Sequence, residues 1–303
     1  MRRKIFHNPV LAEELINLLG LSGFAHSKVR GKLIDATFGL GGCEKYMVGL
    51  NLDVLGIEID QKTINKAKSL LGRLKNQGLN CHLVQGNFKD IRQIALKEGF
   101  ESVDAVIFDL GVSSFQLDSD FYGLSFKYPE TLLDMRLDKN VSRVTASDLL
   151  NVLSQNQLIS LFEVVLDKNL SARLAKSVVE RRKEKPFAKV KDLLELVDKA
   201  MPKEGKLHPA TKVFLALRMA VNSELENLEL ALPDSFSLLK KRGRLAVISF
   251  HSGEDRIVKN FFDKLIFSGQ AVSLTKKPVT PGQDELILNP RSRSAKLRII
   301  EKI

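Results

Sequence analysis

The sequence predicts an α/β fold: a mostly parallel, seven-stranded sheet with helices on both faces, interrupted by an all-helical insert. Three observations predict it. Short apolar runs alternate with stretches of helical periodicity in the first third of the chain. The alternation stops over residues 145 to 200, where helical patterns stand with almost no strand signal. It resumes after His208-Pro209.

The elements follow in order. Asn8-Pro9 before Val10, Leu11, Leu15, Leu18 and Leu19 reads as an N-cap, a proline at the first helical position and an amphipathic helix. Lys32 to Thr37 is a first strand. Phe38-Gly39-Leu40-Gly41-Gly42 follows it, and a helix is expected from about Cys43. Val54 to Glu58 is a second strand, residues 61 to 75 a helix, His82 to Gln85 a third strand and Asp104 to Leu110 a fourth. After the insert, Val213, Leu217, Val221, Leu225, Leu228 and Leu232 form one stripe of a long helix. Arg244 to Phe250 is a fifth strand, Glu254 to Phe267 a helix, and two last strands fall near 271 to 276 and 295 to 302. The simplest organisation is one domain built from residues 1–122 and 207–303, with residues 123–206 as the helical insert.

Composition narrows the function. The chain has 303 residues, 44% hydrophobic and 27% charged, which suits an ordinary globular protein with a substantial core. No apolar run approaches the roughly 18 residues that a membrane helix needs, so no membrane partner is expected. Glu13 and Glu14 close behind the basic start argue against a transit peptide. Two cysteines, Cys43 and Cys81, make neither a disulfide framework nor a metal cluster, which fits a reducing cytoplasm. The formal net charge of +11 favours a polyanionic partner, nucleic acid first, over charge kept for solubility alone.

One stretch asks for chemistry. In Val106-Ile107-Phe108-Asp109-Leu110-Gly111-Val112-Ser113-Ser114 a core strand ends in a carboxylate, a glycine and two hydroxyls. Asp35 and Glu58 end two other strands, and open α/β sheets bind ligands at the carboxyl ends of their strands. Between Asp35 and the next helix lie Gly39, Gly41 and Gly42, which let a ligand approach the backbone. A dinucleotide fingerprint would place a third glycine at position 44. Glu44 stands there, and a carboxylate facing a pyrophosphate disfavours a nicotinamide cofactor. A cationic ligand without phosphates fits better, and S-adenosylmethionine is the common one. Glu58 is placed to accept both ribose hydroxyls.

With these residues in view, the chain resembles the MraW (RsmH) family of small-subunit ribosomal RNA cytosine-N4 methyltransferases. The matches run nearly end to end and in order: His7 to Leu11, Asp35 to Gly42, Asp109 to Ser114 with Gln116 to Asp118, and Leu133 to Arg136. They continue through His208 to Thr211, Ala216 to Asn222 with Glu224-Leu225, Ile248 to Ser252 with Glu254 to Lys259, and Asn289 to Arg298. The resemblance implies a Rossmann-like, S-adenosylmethionine-dependent methyltransferase fold with a helical insert. It implies methylation of N4 of a cytidine in the decoding region of small-subunit rRNA, as free rRNA or within the small ribosomal subunit. It places the cofactor contacts on Gly41, Gly42, Cys43, Glu58, Phe88, Asp109 and Gln116. Three residues depart from the family's pattern: Cys43 for His, Glu58 for Asp and Gly253 for Leu. The spelling of residues 123 to 126 and 130 to 133 strays as well.

Asp109 and His251 are the catalytic candidates. An amine conjugated to a ring needs an acceptor for one N–H to direct its lone pair, and Asp109 offers one; the alternative is that it only orients the cofactor. His251 follows the fifth strand, in a turn with Ser252, Glu254 and Asp255, and would accept a proton or hold the base. Many amine methyltransferases carry Asp/Asn-Pro-Pro-aromatic here, whereas this chain has Asp109-Leu110-Gly111-Val112, so another segment must clamp the base. Phe115, Phe126 and Tyr128 are nearby, with packing expected for at least two of them. Asp134 and Arg136 join the pocket on resemblance only. His7 and His208 read as structural, and Ser113 and Ser114 lack a sequence-level base for nucleophilic catalysis.

Residues 276 to 302 hold seven Lys or Arg against three acids, which points to phosphate contacts by Arg291, Arg293, Lys296 and Arg298. Arg181, Arg182, Lys183 and Lys185 form a second basic cluster. Other readings stay open: a methyltransferase acting on another nucleic acid or on protein, or an rRNA-binding assembly factor with weakened turnover, for which Cys43 and Gly253 speak. The sequence does not specify an oligomeric state, homodimer included.

Overall fold

The computed structural model describes residues 9–201 and 208–303. His7, and Asn8 with its expected capping role, lie outside the described residues. One compact unit takes the described residues up to Ser113 together with Leu225–Ile303; the other is Ser114–Glu224.

The first unit begins with α1 (Ala12–Leu19), β1 (Gly31–Asp35), β2 (Leu52–Glu58), α2 (Gln61–Asn76), β3 (Asn80–Gln85), α3 (Ile91–Lys97) and β4 (Val103–Asp109). The second holds α4 (Ser114–Leu117), α5 (Ala146–Val152), α6 (Gln155–Glu163), α7 (Lys168–Glu184), α8 (Val190–Ala200) and α9 (Ala210–Asn222). The chain then returns with α10 (Glu224–Leu238), β5 (Leu239–Ser249), α11 (Ser252–Phe267), β6 (Ala271–Ser273), α12 (Gln283–Leu288) and β7 (Lys296–Lys302).

All seven strands join one sheet in the order β3-β2-β1-β4-β5-β7-β6. The first five are parallel and β7 runs antiparallel to β5 and β6. Side chains alternate across the sheet. Ile34, Val106, Phe108, Leu245 and Val247 face α3, α10 and α11 in one core. Leu33, Ala105, Ile107, Ala246 and Ile248 face α1, the 3-10 turn Cys43–Met47 and the end of α2 in the other. Burial on both faces explains why the central strands read as continuous apolar runs rather than alternating ones. Among the described residues no helix is long and apolar enough to cross a membrane.

Several expectations need correction. The helix expected from Cys43 is only the 3-10 turn Cys43–Met47. The first helix starts at Ala12, because Leu11 is left-handed (φ 52°) and donates its N–H to Glu285 Oε1 at 3.0 Å. The single long helix after Pro209 is two, α9 and α10, parted at Ser223 (φ 49°), whose left-handed backbone ends one helix before the next begins. Val213, Leu217 and Val221 are buried on α9, and Leu228 and Leu232 on α10. Residues 208 to 224 go with the helical unit, where α9 packs on α5, α6 and α8.

Helix starts in the helical unit are written locally. Thr145 with Asp148 and Ser154 with Gln157 form capping boxes, and Asp167 accepts from Asn169 and Leu170 N–H at 3.0 Å each. The irregular stretch before α5 turns on Gly123 (φ 70°), where a Cβ would overlap the Leu132 carbonyl and stand 3.0 Å from Asp134 N. Buried Met135 is held left-handed (φ 66°). Its N–H donates to Tyr122 O at 2.7 Å and its carbonyl accepts from Asn222 Nδ2 at 2.9 Å. Asn222 Oδ1 accepts from Leu137 N. Gly123→Ala combines a forbidden backbone region with a backbone clash and is expected to destabilise the protein by roughly 1–3 kcal/mol or more. A fall in the urea midpoint at unchanged slope would show it.

Candidate active site

β1 has β2 on one side and β4 on the other, so successive connections leave it in opposite directions. Such a switch opens a crevice at the strands' carboxyl ends. Asp35 ends β1 opposite Ile107, and Asp109 ends β4 two residues beyond that pair. Thr37 ties them together: its Oγ1 accepts from Asp109 N at 2.6 Å, leaving its hydrogen for Asp35 Oδ1 at 3.5 Å. Asp35 Oδ1 also accepts from Thr37 N at 2.9 Å.

The glycine loop takes the left-handed backbone that its composition permits, at Gly39 (φ 58°) and Gly41 (φ 76°). Phe38, buried, packs against Gly56 of β2, where any Cβ would collide with its ring. Glu58 braces the loop, with Oε2 accepting from Gly39 N and Oε1 from Asp60 N, both at 2.9 Å. Burial pushes its carboxyl up to about 7. A carboxylate has about four lone-pair sites, so capacity remains for a hydroxyl.

The acids define the electrostatics. Asp109 Oδ1 is buried and has no hydrogen-bond partner. Burial first, then the charges of Asp35, Glu254 and Glu285, push this carboxyl up to about 8. Glu44, in the 3-10 turn, is fully buried, and neither of its oxygens receives a protein donor. Burial and then Asp35 raise it well above the carboxylate range. Cys43 is buried beside them, and burial, then Asp35, Glu44 and Asp109, hold its thiol protonated. A site whose acids lack positive partners suits the sulfonium and ammonium of S-adenosylmethionine far better than a pyrophosphate. Sequence reasoning used Glu44 only to disfavour a dinucleotide and missed it as a site residue. Its signal was a carboxylate two residues past the last glycine of the loop.

The remaining cofactor candidates separate. Phe88 opens a 3-10 turn after β3 and meets Phe108 edge-on, with ring centroids 5.6 Å apart. Gln116 is buried in α4 of the helical unit. His251 is the N-cap of α11: its Nδ1 accepts from Glu254 N at 3.3 Å, while Glu254 Oε2 accepts from Phe250 N at 2.8 Å. Its Nε2 lies 3.1 Å from Glu254 Oε1. Gly253 makes room for that ring, since a Cβ there would stand 3.1 Å from Nδ1.

The basic candidates differ in their surroundings. Lys296 Nζ and Arg298 Nε lie 3.0 and 2.7 Å from the carboxylate of Asp255. Burial works against that charge, yet the two cations hold Asp255 below its usual range. They close β7 onto α11. Arg291 and Arg293 are exposed on the 3-10 turn Pro290–Ser294. Arg182 caps α5 through the carbonyls of Leu150 and Leu153, and Arg181 and Lys185 face Asp192 at 3.6 and 3.4 Å. That leaves Lys183 of the second cluster outside these contacts.

In the helical unit Arg136 grips Asp134 with two parallel bonds of 2.7 and 3.0 Å, a structural fork. Phe126 stacks on His208, Phe115 meets Phe121, and Tyr128 donates to Asp118 O, all packing roles. His208 Nδ1 accepts from Ala210 N at 3.2 Å, as a structural histidine would.

Comparison with known proteins agrees with this frame. The MraW methylase family model matches residues 4–303. The ribosomal RNA small subunit methyltransferase H of Dictyoglomus turgidum is 41% identical over 304 residues, covering 99% of this chain and 98% of that protein. Its counterpart in Coprothermobacter proteolyticus is 39% identical, covering 100% and 98%. Among solved structures, an rRNA methylase from Streptococcus thermophilus aligns over 98% of this chain and 99% of its own, with a TM-score of 0.47 and 11% identity. A putative methyltransferase from Streptococcus mutans, solved with SAH, aligns over 99% and 100%, with a TM-score of 0.45 and 15% identity. Matched along nearly its whole length, the chain belongs to the MraW methylase family.

Proposed function

We propose that this chain transfers the methyl group of S-adenosylmethionine to the exocyclic N4 of a cytidine in the decoding region of small-subunit rRNA. The observation that carries this reading is Asp109 Oδ1, a buried acceptor without a donor at the carboxyl end of β4. Family membership and the names of the relatives support the methyl chemistry and the rRNA substrate.

S-adenosylmethionine supplies an electrophilic methyl on a sulfonium. Gly39, Gly41 and Gly42 bring the backbone close to it, Glu58 offers its remaining lone pairs to ribose hydroxyls, and Phe88 provides an apolar edge. Asp109 accepts one N4 hydrogen, which localises the nitrogen lone pair and receives the proton as the C–N bond forms and the C–S bond breaks. Alignment of this kind accounts for much of the rate in a direct displacement. His251 holds the turn that follows β5 beside Asp109. Arg291 and Arg293 take phosphates, which give affinity without base choice, and the target base enters unpaired.

The test is direct: incubate the protein with methyl-labelled S-adenosylmethionine and small subunits from cells lacking this methylation, then digest the rRNA to nucleosides. Label in N4-methylcytidine is the expected result. Label in another nucleoside would replace the target, and cofactor binding with no label would remove rRNA as substrate. Failure to bind the cofactor would favour the assembly-factor reading.

Asp109→Asn is expected to lower kcat by roughly 10²-fold or more with little change in KM for RNA. The sign of the pH effect follows from a carboxyl pushed up to about 8. It is neutral at pH 7 in the free protein and becomes an acceptor above that value. Hence kcat/KM should rise with pH through about 8, and the Asn variant should lose this limb. Arg291→Ala with Arg293→Ala should weaken rRNA binding and flatten its dependence on salt by roughly 1–2 units of log–log slope. The Lys296→Ala variant should change that slope less.

A further inference from the structure

Glu44 is the buried group that the proposed mechanism leaves unused. It sits in the first turn after the glycine loop, with no exposed surface and no protein donor to either oxygen. Asp35, whose charge acts on Glu44, is itself buried and already accepts from Thr37 N. A fully buried carboxylate with neither oxygen partnered is strongly disfavoured, and the nearby Asp35 charge disfavours it further, so Glu44 keeps its proton in the free protein.

The groups acting on this pair come from every neighbouring element. Asp109 acts from β4, and the Cys43 and Cys81 thiols lie beside it on the turn and on β3. Both thiols are held neutral, with burial as the main cause in each. The acids Asp35, Glu44 and Asp109 thus act on one another beside two neutral thiols. Arrival of the sulfonium and ammonium reverses the local potential, and the ionised form of each acid becomes the favoured one.

We propose that Glu44 is a proton-linked binding residue for S-adenosylmethionine: in the free protein it is a neutral, fully buried acid, and it ionises when the cationic cofactor binds, releasing its proton to solvent. The proposal rests on the cofactor assignment above and adds a group and a proton count to it. No bond to carbon changes; the O–H of Glu44 breaks and a buffer molecule takes the proton. Cofactor affinity then climbs with pH more steeply than Glu58 and Asp109 alone would produce.

The experiment is calorimetric titration of the full chain with S-adenosylmethionine at pH 7, in buffers of low and high ionisation enthalpy. The slope of observed enthalpy against buffer enthalpy counts protons released. The wild type should release protons, and Glu44→Gln should bind the cofactor but release close to one fewer, while Glu44→Asp should keep the release. Equal release from wild type and Glu44→Gln overturns the proposal with the cofactor assignment intact. No binding by the wild type overturns both. Should Glu44→Gln fail to fold, infrared difference spectra of the wild type and of Glu44→Asp decide instead: cofactor binding should bleach a protonated-carboxyl band that moves in frequency in Glu44→Asp, and bleached bands identical in the two overturn the proposal.

Discussion

The rest of the structure depends on keeping three acids under cover at one end of a sheet, with no base among the described residues to neutralise them. Isolated carboxylates in an apolar setting are among the most unfavourable things a fold can hold. Here burial pushes the carboxyls upward instead of cations holding them ionised, and the surrounding parts keep that arrangement in register. The Thr37 hydroxyl joins the ends of β1 and β4, so Asp35 and Asp109 keep a fixed separation. Glu58 holds the glycine loop against β2, and Phe38 lies on Gly56 where no other residue would admit it. Hydrophobic burial on both faces of the sheet supplies the free energy against which this charged end is held.

Charge elsewhere follows the opposite rule. Asp255, Asp134 and Asp192 are also buried, and each is surrounded by cations that hold it ionised. The contrast sorts structural acids from functional ones without reference to any relative. An acid with an arginine fork is a brace, whereas an acid whose oxygen faces no donor is waiting for one. Lys296, Arg298 and Arg181 also face acids within the protein, and Arg182 holds two backbone carbonyls.

The α/β rhythm, the seven strands and the helical interruption were legible because burial period and turn residues are local properties. Asp35, Glu58 and Asp109 were legible because a carboxylate closing an apolar run has few structural uses. What escaped depended on distant partners. The end of α9 at Ser223 has no glycine or proline to announce it; it is set by the backbone turning left-handed there. The pairing of Asp255 with Lys296 and Arg298 spans some forty residues and joins a helix to a strand that is antiparallel to its neighbour. Glu44 looked like an interruption of a glycine pattern, because its meaning lies in the absence of any donor around it, and sequence does not display absences.

The path of the chain through the sheet has a consequence for synthesis. β4 pairs with β1 on one edge and with β5 on the other, yet the whole of Ser114–Glu224 is made between β4 and β5. On a ribosome moving at about 5–20 residues per second, β4 therefore waits on the order of ten seconds with one row of backbone groups unpaired. The nascent sheet is an open edge for that interval, and the contiguous helical unit can complete its own contacts meanwhile. Translation speed across the helical segment, rather than final stability, then governs how often this edge meets a wrong partner.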